Sequence, residues 1–369
     1  MTERLTIKNF GPIKDMSFEF RKINIFIGDQ STGKSSVAKI LSLIKEMFDV
    51  VIEDESKQIH NFKEVAFEEQ LKFHGLTSYL KSNTIIDFDD SCNYFKYEEK
   101  KIFITKGEKE NRAKDTRVMG FIPSYREAAI LLKNSINALA GLKVPITELF
   151  FFFGQHLMNA KLAKGLYDYT PILGIKYKYV NDSDIVILKN GKEIKMEDAA
   201  SAISSGIPML LVFDNIVQSM LPTSNRIYHY ANQPYIIIEE PELNCFPTTQ
   251  KKIMEHFISK IKFEVGSGFN YYCRLLITTH SPYILTSLNN MMYAYSVAQK
   301  DPVEVNKIID KKYWVNPEDV SAYMLLSDGT SEDIVDREEG LIKAEKIDGV
   351  TNTLNEQFEA LLNIELVPK

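Results

Sequence analysis

The chain has 369 residues, enough for two ordinary domains or one large α/β domain with insertions. Hydrophobic residues make up 44% and charged residues 25%, which excludes wholesale disorder. A net charge of -6 argues against a protein that coats nucleic acid by charge alone, although a net count is blind to a local basic groove.

Residues 3–27 read as strands with tight turns. Arg4–Lys8 and Met16–Phe20 alternate, Gly11-Pro12 breaks between them, and Ile23–Ile27 forms an apolar strand. A helix is expected over about 33–48, with Val37, Ile40, Leu41 and Ile44 on one face. Residues 50–80 are polar with helical character. Short strands follow at 84–88, 93–97, 101–105 and 118–122, with a charged loop at 106–114. Asp87-Phe88-Asp89-Asp90 reads as surface charge. The stretch 124–165 is helical. Its run Phe150–Phe153 covers every face of a helix, which fits burial better than a partner surface. Strands are expected at 175–180, 185–189 and 192–194, the last two joined by an Asn190-Gly191 turn. A helical pattern over 196–220, a strand at 235–238, a helix at 248–261 and a strand at 275–278 come next, and the tail 300–369 is mixed and charged. Cys92, Cys245 and Cys273 are far apart with no CxxC pair, so neither a zinc site nor a disulfide framework is expected. No apolar stretch is long enough for a membrane span and the N-terminus lacks an apolar signal segment, so a cytoplasmic protein without membrane contact is expected.

Three segments carry chemistry. Gly28-Asp29-Gln30-Ser31-Thr32-Gly33-Lys34-Ser35 fits G-x-x-x-x-G-K-S, after an apolar strand and before an amphipathic helix. Such a loop curls its N–H groups inward onto phosphate oxygens, Lys34 supplies a mobile cation, and Ser35 offers a hydroxyl to Mg²⁺. ATP and Mg²⁺ are therefore the expected cofactors, held by Gly28, Asp29, Ser31, Thr32, Gly33, Lys34, Ser35 and Ser36. Tyr235–Ile238 runs into Glu239-Glu240-Pro241-Glu242, an apolar strand ending in carboxylates. There Glu239 supports Mg²⁺ and Glu240 activates water. Glu239 stands where most ATPases of this type carry Asp, and the extra methylene shifts the charge by about one bond length. Leu275–Pro282 puts His280 just past a third strand, within reach of the γ-phosphate or the water. Ser204-Ser205-Gly206 precedes a helix read as 207–220 and by itself is an N-cap.

Taken in order, these elements resemble the ABC-type ATPase heads, the group that includes SMC, RecF and OLD-family ATPases. They are most like the bacterial OLD-like ATPases of antiphage systems such as Septu and PARIS. The strings that carry the resemblance are 28–36, Ile122-Pro123-Ser124-Tyr125-Arg126, 203–211, and Glu239–Glu242 with Thr279-His280-Ser281-Pro282-Tyr283. It implies an α/β P-loop head with an N-terminal antiparallel β lobe, a central mixed sheet flanked by helices, and a helical insertion. The expected divisions are 1–122, 123–172, 173–299 and 300–369.

The resemblance also implies a homodimer or higher homo-oligomer closed by ATP, with Ser204, Ser205 and Gly206 acting on the nucleotide of the opposing copy and His280 as a switch. Here the triplet sits in Ile203–Ile207 followed by Pro208, without the usual glutamine. Gln70 is a weak candidate for a further site glutamine, and Arg126 for contact with phosphate or the opposing subunit. The short segment after His280 has no Asp-x-Asp, so the nuclease domain of OLD proteins is not expected and a separate effector, such as a nuclease, is. Two alternatives stand beside an ATPase engine or sensor of a defence complex. One is a DNA-binding RecF- or SMC-like maintenance ATPase, with Lys100-Lys101, Lys161 with Lys164, and Lys251-Lys252 lining a groove. The other is an ATP-gated scaffold with very slow turnover.

Overall fold

The computed structural model describes residues 3–53, 62–90, 93–106, 118–132, 148–163, 165–220, 235–265, 269–343 and Gln357. The charged loop expected at 106–114, apart from Lys106, the middle of the helical stretch 124–165, Lys164, Cys92 and most of the tail beyond 343 lie outside these residues.

The chain opens with β1 (Glu3–Phe10), β2 (Ile13–Phe20) and β3 (Ile23–Gly28), then α1 (Lys34–Glu53) and α2 (Phe62–Phe73). Strands β4 (Ile85–Asp89), β5 (Asn93–Glu98), β6 (Lys101–Lys106) and β7 (Val118–Ile122) follow, then α3 (Ala128–Leu132) and α4 (Glu148–Ala163). After β8 (Tyr167–Tyr169) and α5 (Thr170–Leu173) come β9 (Ile175–Val180), β10 (Ser183–Leu188) and β11 (Glu193–Lys195). The second half holds α6 (Ser201–Met220), β12 (Tyr235–Glu239), α7 (Pro247–Lys260), β13 (Lys262–Val265), β14 (Phe269–Tyr272), β15 (Arg274–Thr279), α8 (Pro282–Val297) and α9 (Pro302–Ile308). It closes with β16 (Val320–Leu325), β17 (Ser331–Asp333), β18 (Val335–Asp336) and β19 (Leu341–Ile342).

The fold is α/β, with an antiparallel lobe and a mixed central sheet. The lobe is the five-stranded sheet β2-β1-β4-β5-β6, and the central sheet runs β17-β16-β3-β15-β12-β7. Strands β16, β3, β15, β12 and β7 are parallel to one another, and β17 is antiparallel to β16. A separate antiparallel sheet, β11-β10-β9-β8, packs beside α4.

Alternation along each central strand sends side chains to opposite faces. Ile25, Ile277, Ile236 and Ala322 join one apolar cluster, with α4, α6, α7 and α8. Phe26, Leu276, Ile237 and Tyr323 join the other, with α1 and the antiparallel lobe. The lobe is fastened to the N-terminal edge of the central sheet by a buried polar cluster. Glu3 pairs with Arg274 and, at 3.0 Å, with Lys45, while Arg274 donates to the Tyr235 hydroxyl at 3.0 Å.

Several expectations need correction. Asp90 is not surface charge: its largely buried carboxylate lies 3.6 Å from Lys45 in that cluster and accepts from the N–H and side chain of Asn93. The four phenylalanines divide, with Phe150 and Phe153 buried and Phe152 exposed on the outer side of α4. Lys161 cannot line a nucleic-acid groove, because it is buried in an ion pair with Asp184, 2.8 Å away. The tail contributes a central strand, β16, paired along its whole length with the strand that leads into the phosphate loop. Among the described residues, no helix is long and apolar enough to cross a membrane.

Candidate nucleotide site

The site forms where three parallel strands end side by side. In the register, Thr279 of β15 lies opposite Ile27 of β3, and Glu239 of β12 lies opposite Thr278 of β15. The Gly28 loop, His280 and the two glutamates therefore emerge at one edge, where open α/β sheets bind ligands.

The loop needs its glycines. Gly28 has φ 152°, and a Cβ there would lie 2.3 Å from the Leu325 carbonyl oxygen. Gly33 has φ 101°, and Ser31, without that freedom, still turns at φ 64°. Thr32 Oγ1 donates to the Asp29 carbonyl at 2.9 Å and braces the turn. Lys34, the first residue of α1, folds back across the loop. Its Nζ donates to the carbonyls of Gly28 at 2.8 Å and Asp29 at 2.7 Å. Burial pulls its pKa down to about 8, against the attraction of Glu240, Asp29 and Glu242. Asp29 and Ser31 are exposed, Ser35 is half-buried and Ser36 is buried.

His280 joins the loop to the acidic strand. Its Nδ1 is 3.4 Å from Lys34 Nζ, and its Nε2 is 3.8 Å from Glu240 Oε1. Glu240 is half-buried and has φ 45°, a left-handed conformation rare outside glycine and asparagine. Its N–H donates to the Thr278 carbonyl at 2.8 Å, which carries the pairing with β15 one residue past the end of β12.

Glu239 is buried, and burial pushes its carboxyl above the ordinary carboxylate range, against the pull of Lys39, the Ser35 hydroxyl and the Ser124 N–H. One carboxylate oxygen accepts from Ser124 N–H at 3.2 Å, and the other is buried without a hydrogen-bond partner. An orphaned buried oxygen beside the Ser35 hydroxyl is what a hard cation would satisfy, so this pair fits Mg²⁺. Among the described residues no group of three His, Cys, Asp or Glu could hold a metal, so phosphate and water would supply the remaining ligands.

Two contributors were not singled out from the sequence. Glu242 accepts from Thr279 Oγ1 at 2.8 Å and from the His280 N–H at 2.7 Å, which fixes the histidine's main chain. Burial raises its carboxyl as well, opposed chiefly by the His280 N–H. Gln250 accepts from Ser281 Oγ at 2.5 Å and donates to the Cys245 carbonyl at 2.9 Å, tying the histidine loop to α7. Glu242 stands in the Glu-Glu-Pro-Glu string, but nothing local announces that its partners lie on another strand.

The serine-glycine triplet differs from expectation. Helix α6 begins at Ser201, so Ser204–Gly206 lie inside its first turns and form no N-cap. Ser205 is fully buried, and a Cβ on Gly206 would lie 3.1 Å from the Leu173 side chain, so only Ser204 has exposed surface. None of the three is hydrogen-bonded to the phosphate loop. Arg126 is also corrected. It is fully buried and binds main-chain carbonyls, so it cannot contact a phosphate or an opposing subunit in this arrangement. Gln70 sits on α2, which packs mainly on α1 and β6.

Residues 1–140 match the family described as AAA ATPase domain. Lys34 and Ser35 therefore lie in an ATPase domain. No curated protein matches the chain by sequence. Solved structures of similar shape include an SMC head bound to the C-winged helix domain of ScpA, 10% identical with TM-score 0.47, covering 92% of this chain and 99% of that one. The SMC head domain from Thermotoga maritima is 9% identical with TM-score 0.40, covering 90% and 98%. The recombination mediator protein RecF with ATP is 11% identical with TM-score 0.37, covering 90% and 99%.

Proposed function

We propose that this ATPase hydrolyses ATP at the C-terminal edge of the central sheet, with Glu240 as the base. The observation that carries the reading is the convergence of Lys34, His280 and Glu240 on the phosphate loop. Lys34 exchanges the two loop carbonyls for the β- and γ-phosphates. The loop N–H groups and the N-terminus of α1 add positive potential at the same point. Glu240 takes a proton from the attacking water, the water oxygen bonds to the γ-phosphorus, and the bond to the bridging oxygen breaks to leave ADP. His280, oriented through Glu242, holds the water or a γ-phosphate oxygen. Glu239 and Ser35 would hold Mg²⁺, whose charge offsets that of the β- and γ-phosphates.

Turnover by the purified chain tests this. Lys34→Ala should weaken ATP binding and abolish turnover. Glu240→Gln should bind ATP normally and turn over about 10²- to 10⁴-fold more slowly. Equal rates for wild type and Glu240→Gln would remove Glu240 as the base, and a wild type no faster than Lys34→Ala would favour the slow scaffold.

The composite site is carried forward in narrower form. Ser204, as the accessible part of the triplet, offers its hydroxyl to the nucleotide of a second copy, with Ser205 and Gly206 shaping the turn beneath it. Glu240→Gln should then become dimeric with ATP when measured by light scattering, and a monomer at every nucleotide state would rule this out. The wider reading is a sensor or engine of an antiphage complex with a separate effector, supported by the pairing of Glu239–Glu242 with Thr279–Pro282. Loss of phage protection in cells carrying Lys34→Ala tests it. Turnover stimulated by duplex DNA would favour a RecF-like maintenance role instead.

A further inference from the structure

Arg126 heads the fully buried side chains by size, and its guanidinium is spent entirely on main-chain carbonyls. Its Nε donates to Ser205 at 3.0 Å, Nη1 to Pro123 at 3.2 Å and to Glu239 at 2.8 Å, and Nη2 to Glu240 at 2.8 Å. Four of its five N–H donors are used, with no carboxylate among the acceptors. Burying an ion is costly, and here four carbonyl dipoles offset that cost. These carbonyls belong to three segments far apart in sequence: the loop after β7, the first turns of α6, and the end of β12.

Two local features make the linkage consequential. Pro208 lies within α6 and has no N–H for the Ser204 carbonyl one turn back, so the first turn of α6 is tied less firmly to its own helix. Ser205 Oγ is buried without a partner, leaving this turn one hydrogen bond short. At the other end, Glu240 holds a left-handed φ that is strained for a non-glycine residue. It keeps that conformation because its N–H is bound by Thr278 and its carbonyl by Arg126. One guanidinium therefore joins a turn of α6 that lacks one helix hydrogen bond to the residue whose carboxylate direction matters most.

We propose that Arg126 is a positioning residue that couples the Ser204–Gly206 turn to Glu240, so that a second copy docking on this turn changes the hydrolysis rate and not the affinity for ATP. The proposal rests on Glu240 being the base. Arg126 touches no substrate; it sets the main chain from which the base projects.

Arg126→Lys keeps the charge but cannot span three segments. It should bind a fluorescent ATP analogue within about threefold of wild type and lose at least tenfold in kcat, and in combination with Glu240→Gln it should add little further loss. Unchanged kcat, a proportional loss of binding and turnover, or full additivity with Glu240→Gln would overturn the coupling. If Arg126→Lys does not fold, deuterium exchange on the wild type decides. A non-hydrolysable ATP analogue should alter exchange in 201–209 and 239–245 together, and a change confined to one segment would overturn the proposal. Absence of wild-type turnover would sink the hydrolytic reading and the coupling with it, whereas wild-type turnover with an unaffected Arg126→Lys would sink the coupling alone.

Discussion

Gly28 is held by backbone on one side and by its own conformation on the other. Its φ of 152° disfavours any side chain, and the Leu325 carbonyl occupies the space a Cβ would take. Gly28→Ala should therefore cost about 1–3 kcal/mol of stability and weaken ATP binding. Denaturant unfolding and nucleotide titration of the one variant check both. Lys34 supplies a pH signature. With its pKa lowered to about 8, the free protein loses the Lys34 charge as pH rises through 8, whereas bound phosphates favour the charged form. Binding above pH 8 must then take up a proton, and ATP affinity should fall about tenfold from pH 7 to pH 9. Lys34→Ala should flatten that dependence, and an affinity independent of pH in the wild type would contradict the burial of the ammonium. The phosphate loop was legible in the sequence because its geometry is local: eight consecutive residues fix where each N–H points. Arg126 and Glu242 were not, since each works on atoms more than thirty positions away along the chain.

At the scale of elements, legibility follows the strength of the periodic signal. The strands at β3, β12 and β15 are nearly continuous apolar runs bounded by charge, the pattern of strands buried on both faces. Strand β16 reads Val-Ser-Ala-Tyr-Met-Leu, with small and polar residues inside a charged tail, so nothing local marks it as central. Ser321 explains the polar position: its hydroxyl donates to Asn24 Oδ1 at 2.7 Å, and Asn24 in turn donates to the Leu275 carbonyl at 3.1 Å, a buried polar tie across three neighbouring strands. Ser-Ser-Gly resembles a cap before a helix at 207, and in the fold its burial against Leu173 overrides that local preference and draws it inside α6. The tail is thus part of the core of the ATPase. A chain ending at residue 299 would expose one long edge of β3 and remove the carbonyl that packs on Gly28. It should be insoluble or lack the cooperative unfolding transition of the full chain. Circular dichroism of the truncated and full chains separates these outcomes.

The whole molecule is organised by what the central sheet separates. Ile277 faces the cluster that holds α4, α6, α7 and α8, and Leu276, its neighbour on β15, faces the cluster that holds α1 and the antiparallel lobe. Both are fully buried, so truncation of either to alanine should cost about 2–5 kcal/mol. Because the two faces share one set of strand hydrogen bonds, neither cluster can come apart while the other keeps its strands in register. The phosphate loop draws on this rigidity from both sides, since α1 packs on one face while the Arg126 linkage to α6 lies toward the other. Trp314 is the sole tryptophan, sits in a third, smaller cluster, and donates its Nε1–H to the Ile309 carbonyl at 2.7 Å, so its fluorescence reports on a region outside both clusters. Tryptophan fluorescence and far-ultraviolet circular dichroism should therefore give the same urea midpoint in the wild type, and both should move together in Ile277→Ala and in Leu276→Ala. Separate midpoints in either variant would mean that the two faces unfold independently, and that the site is braced by one face alone.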